Sequence, residues 1–147
     1  MRSIKLKIVT PEKLLVEEEV YSVTLPAESG EITVLPDHIP YIGTLRPGEI
    51  FFRRSQESEP EAFATSGGFV ELHGNILSLL VDTAERAEEI DLDRAEEGRQ
   101  KAEELAKSQH TLDEAEYARV ATSLEKEFAR LRVARKYRRQ RGIRTGE

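Results

Sequence analysis

Few residue types in this chain are suited to bond-making chemistry. It has three histidines, His38, His73 and His110, scattered along 147 residues, and no cysteine. Without cysteine there is no thiolate nucleophile, no thiolate metal site and no disulfide framework. No serine has the supporting context of an activated nucleophile. His38 reads instead as a loop residue that orders Pro36–Pro40 by hydrogen bonding. Gly67-Gly68 is not a phosphate loop, because no Lys-Thr follows it and a strand-like run comes next. Its glycines suit a bulge or a close backbone approach. The expectation is a protein with no catalytic residue and no metal.

Charge is the stronger signal. The net charge is −6, yet residues 128–147 carry eight Lys/Arg against one Asp/Glu. The cations are Arg130, Arg132, Arg135, Lys136, Arg138, Arg139, Arg141 and Arg144. Residues 85–127 are acidic, with 14 Asp/Glu against 7 Lys/Arg. A basic tail after an acidic stretch implies a charged partner, or each other. Three readings stay open: an acidic protein groove, a solvated helix end, and nucleic acid or anionic lipid. Tyr137 is the lone aromatic of the tail and the rest of the chain is acidic, which favours a protein over nucleic acid.

The elements that carry these residues change period near residue 85. Ile4, Leu6 and Ile8 alternate with Ser3, Lys5 and Lys7, which predicts a half-buried strand. Val23 and Leu25, Ile32 and Val34, Phe51 and Phe52, 62–65, 69–72 and 76–81 are further short runs. Pro47-Gly48 predicts a type II turn and Gly74-Asn75 a tight hairpin. Many short strands between turn signals argue for an antiparallel sandwich or barrel. Asp91 is then a plausible N-cap for a helix to about Lys107, with Ala95, Ala102, Leu105 and Ala106 toward one side. Gly98 weakens that helix by about 1 kcal/mol relative to alanine, unless a close neighbour needs the space. Ser108-Gln109-His110 is a polar break, and Thr111 with Glu114 predicts a capping box. Leu112, Ala115, Ala118, Ala121, Leu124, Phe128 and Leu131 make one predicted stripe of a second helix. The reading is therefore a β-sandwich of many short strands over 1–86, then a two-helix hairpin with a basic tail over 87–147. The hairpin seam is rich in alanine, which buries little area, so its docking should be reversible. No run approaches the 20 or so apolar residues of a membrane span, and the first residues lack a signal-peptide core. The expectation is a soluble intracellular protein that can dock on a membrane complex.

Three segments together resemble the epsilon subunit of bacterial and chloroplast F-type ATP synthases. They are Gly30-Glu31-Ile32 leading to Leu35-Pro36-Asp37-His38-Ile39-Pro40, then Ser66-Gly67-Gly68-Phe69-Val70-Glu71 with Asn75 and Asp82-Thr83-Ala84-Glu85, and Ile90-Asp91-Leu92-Asp93-Arg94-Ala95. The resemblance covers Met1 to about Val133, across the same β-to-α switch. It implies two five-stranded sheets that clamp the gamma subunit and rest on the ring of c subunits at the cytoplasmic face of the bacterial inner membrane. The hairpin is implied to inhibit ATP hydrolysis when it extends into the catalytic head of alpha and beta subunits.

The resemblance also implies sites. Glu31 and His38 would face gamma and the c ring. Arg130, Arg132, Arg135 and Lys136 would meet an acidic segment of beta. No cofactor is required, but ATP is implied as a regulatory ligand of the folded-down hairpin in some members. Carried over, its residues are Glu85, Asp91, Arg94, Ala95, Lys126 and Arg130, with Lys126 standing where the family's binders have arginine. Against this, Asp91 is a natural N-cap and Arg94 can pair with Glu97 or Asp93. Two other classes stay in view: a stand-alone ATP-sensing module and a protein-binding adaptor.

Overall fold

The computed structural model describes residues 2–108 and 113–142. Ten strands precede any α-helix: β1 Ile4–Val9, β2 Leu14–Val20, β3 Ser22–Ala27, β4 Gly30–Val34, β5 Tyr41–Leu45, β6 Gly48–Arg53, β7 Glu61–Thr65, β8 Gly68–His73, β9 Ile76–Val81 and β10 Ala84–Arg86. A 3-10 turn, Ala87–Glu89, leads to α1 Leu92–Lys107 and α2 Glu114–Gln140.

The strands fall into two halves of five. One half runs β10-β7-β6-β3 with β4 paired to β3; the other runs β5-β8-β9-β1-β2. A single β3–β5 pair, Ala27 with Leu45, joins them. All pairs are antiparallel except β1 with β9, which is parallel and departs from the all-antiparallel expectation. The core follows the period of two: Ile4, Leu6 and Ile8 from β1 meet Leu77 and Leu79, with Phe52 and Phe63 stacked 6.2 Å apart.

Turn chemistry is partly as expected. Gly74 and Asn75 both take positive φ, +56° and +62°, as a two-residue primed hairpin requires. Pro47-Gly48 does not make a type II turn, since Gly48 lacks positive φ and opens β6. Glycine is needed there for closeness: an added Cβ would lie 2.8 Å from the Pro26 Cβ. Gly68 combines φ of +155° with a Leu80 carbonyl oxygen 2.1 Å from any added Cβ.

The helices form an antiparallel pair folded down on one half of the sandwich. Ala95 of α1 and Leu131, Val133 and Ala134 of α2 pack with Ala64, Ala87 and Ile90. α2 crosses β6, β7 and the 3-10 turn. This departs from the predicted stripe of α2: Ala115 and Ala118 are exposed, and Phe128 is 44% exposed. Along α1 the stripe is only half-covered, at Ala121 and Leu124, whereas the second half of α2, which also lies on the sandwich, buries Ala129, Leu131, Val133 and Ala134. Leu105 of α1 is likewise 52% exposed. A capping box does start α2, but it pairs Asp113 with Glu116. Thr111 and Leu112, which sequence reasoning put there, lie outside the described residues, as do His110 and Arg144. Among the described residues, no helix is long and apolar enough to cross a membrane.

Candidate functional site

Where β10, the 3-10 turn, α1 and α2 converge, they enclose a polar cleft of about 430 Å³. Its walls are Glu85, Glu89, Asp91, Arg94, Glu97, Gly98, Lys101 and Arg130. The spacing on α1 explains the grouping: Arg94, Glu97, Gly98 and Lys101 recur at three, four and seven residues, one face of a helix. Asp91 fixes where that face begins, its Oδ1 accepting from the backbone N–H of Asp93 at 3.0 Å and Arg94 at 3.2 Å. That satisfies two of the orphan donors of the first turn.

One ion-pair cluster closes the cleft. Arg130 donates from Nε and Nη2 to the two Glu85 carboxylate oxygens at 2.8 and 3.2 Å, and from Nη1 to Glu127 at 2.8 Å. The Glu85 hydrogen bonds come first in holding the guanidinium charged, and its pKa is raised above the usual arginine value despite partial burial. Glu127 reaches this position because residue 98 is glycine: an added Cβ would sit 2.8 Å from the Glu127 Cδ. The neighbour that needs the space at Gly98 is thus a carboxylate. Arg94 and Lys101 make no ion pair within the described residues, so neither Asp93 nor Glu97 takes up Arg94. The cleft therefore holds two unpaired cations and one that its own carboxylates already occupy.

Of the six residues expected at a nucleotide site, four line this cleft: Glu85, Asp91, Arg94 and Arg130. Ala95 is fully buried beneath it, against the sandwich. Lys126 is half-buried one turn before Arg130 and does not line the cleft. Lys101 does line it and was missed, although its spacing of seven from Arg94 was readable.

Two further contacts hold the hairpin down. Lys136 Nζ donates to both Glu49 oxygens at 3.0 and 3.1 Å and lies 4.9 Å from the Phe51 ring centre. The Tyr137 hydroxyl donates to Glu88 at 3.2 Å.

Comparison with known proteins agrees with this two-part build. Residues 3–87 match the family model described as the delta/epsilon chain β-sandwich domain of ATP synthase, and residues 88–135 match its long α-helix domain. The ATP synthase epsilon chain of Herpetosiphon aurantiacus is 41% identical over 94% of this chain and 98% of its own length. That of Nitratidesulfovibrio vulgaris is 39% identical over 90% of this chain and 96% of its own. The chain belongs to the ATP synthase delta/epsilon family. The fold agrees with a chain of the Euglena gracilis mitochondrial ATP synthase at a TM-score of 0.72, with 23% identity over 85% of this chain and 77% of that one.

In this delta/epsilon chain the expected partner residues do not share one surface. At 100° per residue, Arg130 faces the cleft while Arg132 and Arg135 emerge on the opposite side of α2. Arg132, Arg135, Lys136 and Arg139 line a second groove with Arg99, Glu96, Phe128 and Leu131. Glu31 is an exposed residue near the start of β4, opposite Pro26 on β3. His38 Nδ1 lies 2.7 Å from the Ile39 carbonyl oxygen. The preceding Asp37, at φ +65°, pairs with Arg2 and accepts from the Asn75 side chain at 3.1 Å. Asn75, then Arg2, holds the Asp37 carboxyl below its usual pKa.

Sequence reasoning missed an apolar row on the outer sheet face. Phe69, Leu80, Val9 and Leu14 stand in register across β8, β9, β1 and β2. Phe69 is 61% exposed, with Ile42 nearby on β5 at 82%. The available signal was the run 76–81, apolar at five of six positions and so on both faces of its strand: Leu77, Leu79 and Val81 are buried, and Ile76 and Leu80 exposed.

Proposed function

We propose that this chain is the non-catalytic epsilon-type subunit of an F-type ATP synthase, a rotor-stalk protein whose sandwich joins gamma to the c ring. Its folded-down hairpin is a reversible brake on ATP hydrolysis. The observation that carries this reading is the hairpin interface. Its apolar part is mostly alanine, and about 25 cal/mol per Å² of buried apolar surface leaves such a contact weak. Ion pairs from Glu85 and Glu49 supply the rest. An element held this loosely is suited to leave, which a purely structural helix pair is not.

Gamma docks on the outer face of β5-β8-β9-β1-β2, where the Phe69–Leu80 row would otherwise expose a contiguous apolar patch. Glu31 near the start of β4 and His38 in the loop that follows β4 meet the c ring, so the protein sits peripherally at the inner membrane. Co-purification tests the assignment. The full chain forms a one-to-one complex with gamma, and Phe69→Asp with Leu80→Asp abolishes it while the variant stays folded. A folded wild-type chain that does not bind gamma contradicts the reading.

The cleft supports a second proposal, that ATP binds the folded-down hairpin. Arg94 and Lys101 are free to pair with phosphate oxygens, and Asp91 and Glu97 can accept from ribose or adenine donors. Arg130 is engaged by Glu85 and Glu127, so full binding requires it to change partners. ATP then stabilises the folded-down state by mass action. Calorimetry with ATP and Mg²⁺ tests this: heat that disappears in Arg94→Ala supports it, and none up to millimolar ATP rejects it.

A further inference from the structure

The second groove lies on the opposite side of α2 from the cleft and has a different charge. It encloses about 910 Å³ between α1 and α2 and is lined by five cations, Arg99, Arg132, Arg135, Lys136 and Arg139, against one carboxylate, Glu96. That carboxylate is already matched. Its Oε1 takes hydrogen bonds from Arg99, whose other contact is Glu103. Its Oε2 is buried without a hydrogen bond, with Arg135 at 3.6 Å. Lys136 is shared with Glu49. Arg132 and Arg139 have no carboxylate partner among the described residues, and Arg135 has only the long contact to Glu96. Like charges gathered this closely repel one another, and a bound anion would relieve that repulsion.

Spacing says what kind of anion. Arg132, Arg135 and Arg139 recur at three and seven residues on one helix face, and about 1.5 Å per residue spreads them over roughly 10 Å. A single small anion cannot reach all three; one with charge distributed along its length can. Guanidinium forks match the tetrahedral oxygens of phosphate two at a time, which lysine does not do. Arg99 comes from the other helix, so the groove is complete only while α1 and α2 are paired.

We propose that this groove is a binding site for a condensed phosphate, separate from the cleft that lies behind Arg130. Such a ligand holds α1 to α2 and covers the arginines that would otherwise be free to meet an acidic partner. Binding weakens as salt rises, because the charges are exposed and screened.

Calorimetry of the full chain with inorganic tripolyphosphate tests the site. The variant Arg132→Ala/Arg139→Ala weakens binding about tenfold or more, as loss of two charge-assisted contacts requires. Arg138→Ala/Arg141→Ala removes the same charge outside the groove and leaves the affinity within about twofold. Arg94→Ala, which would disable the cleft, also leaves it unchanged. Equal loss in the two double variants would mean general attraction to the tail and overturn the site. So would absence of binding at millimolar tripolyphosphate, or a glutamate-rich peptide of the same charge binding as tightly.

Discussion

Replacing Glu85 with glutamine should raise the fraction of molecules whose hairpin has left the sandwich. Glu85 sits on β10 and holds Arg130 of α2 through two hydrogen bonds, 2.8 and 3.2 Å long. The side chains are 19% and 34% exposed, so the pair is neither dry nor fully solvated. A charge-assisted hydrogen bond in a protein contributes about 1.5–3 kcal/mol, and exposed ion pairs about 0–1. Arg130 keeps Glu127 in the variant, since that contact is within α2. The loss at the docking interface is therefore about 1–2 kcal/mol, which raises the undocked population by a factor of about 5–30. Amide hydrogen exchange along 129–137, without nucleotide, reads this directly as faster exchange of α2 with the sandwich unaffected. Under the proposed function, in which the hairpin inhibits once it has left the sandwich, inhibition of hydrolysis should rise in parallel. A double cycle with Arg130→Gln isolates the pair: if Glu85→Gln still speeds exchange when Arg130 is absent, the ion pair is not the cause. Unchanged exchange in the single variant would refute the latch.

Other outcomes follow from the same contacts. Arg132→Ala with Arg135→Ala should relieve inhibition without loosening the docked hairpin, measured by hydrolysis and hydrogen exchange together. Arg130→Ala and Lys136→Ala should instead speed exchange along α2, because each holds the sandwich through Glu85 or Glu49. Gly68→Ala should destabilise the sandwich by about 2 kcal/mol or more in denaturant unfolding, through positive φ and the Leu80 carbonyl. A 1–86 fragment should fold and bind gamma, since the main core draws only on residues 4–84. Because the folded Asp37 pKa is lowered, its bonds to Asn75 and Arg2 contribute fully above its usual value of 3.8 and fade as pH falls through the lowered one. NMR titration of Asp37 checks the direction, and a midpoint above 3.8 would contradict it.

The sandwich was legible where one face is buried, because alternation is then enforced: Ile4, Leu6 and Ile8 are fully covered. β2 was not legible, since Glu17-Glu18-Glu19 looks like a solvated charge run. Glu17 and Glu19 face Lys7 and Lys5 across the pair, with Lys5 Nζ 3.1 Å from Glu17, while Glu18 pairs with Arg54. β5 was hidden by Ile42, exposed on the outer face where alternation predicts a polar residue. The helices were legible, but not what they bury. A stripe built on spacing alone includes Ala115 and Ala118, which face solvent because the sandwich reaches only the second half of α2. The cleft was recovered through the Ile90-Asp91 to Arg94-Ala95 segment. The partnering of Arg130 was not, because a bond between residues 45 apart in the chain leaves no local pattern. Helical angle alone, however, separates Arg130 from Arg132 and Arg135.

The most direct test is hydrolysis by a reconstituted catalytic head containing gamma, with the full chain or with one truncated after Glu88. Both should bind gamma one to one, and only the full chain should inhibit. Equal inhibition by the two, or failure of the full chain to bind gamma, would contradict a rotor subunit with a helical brake.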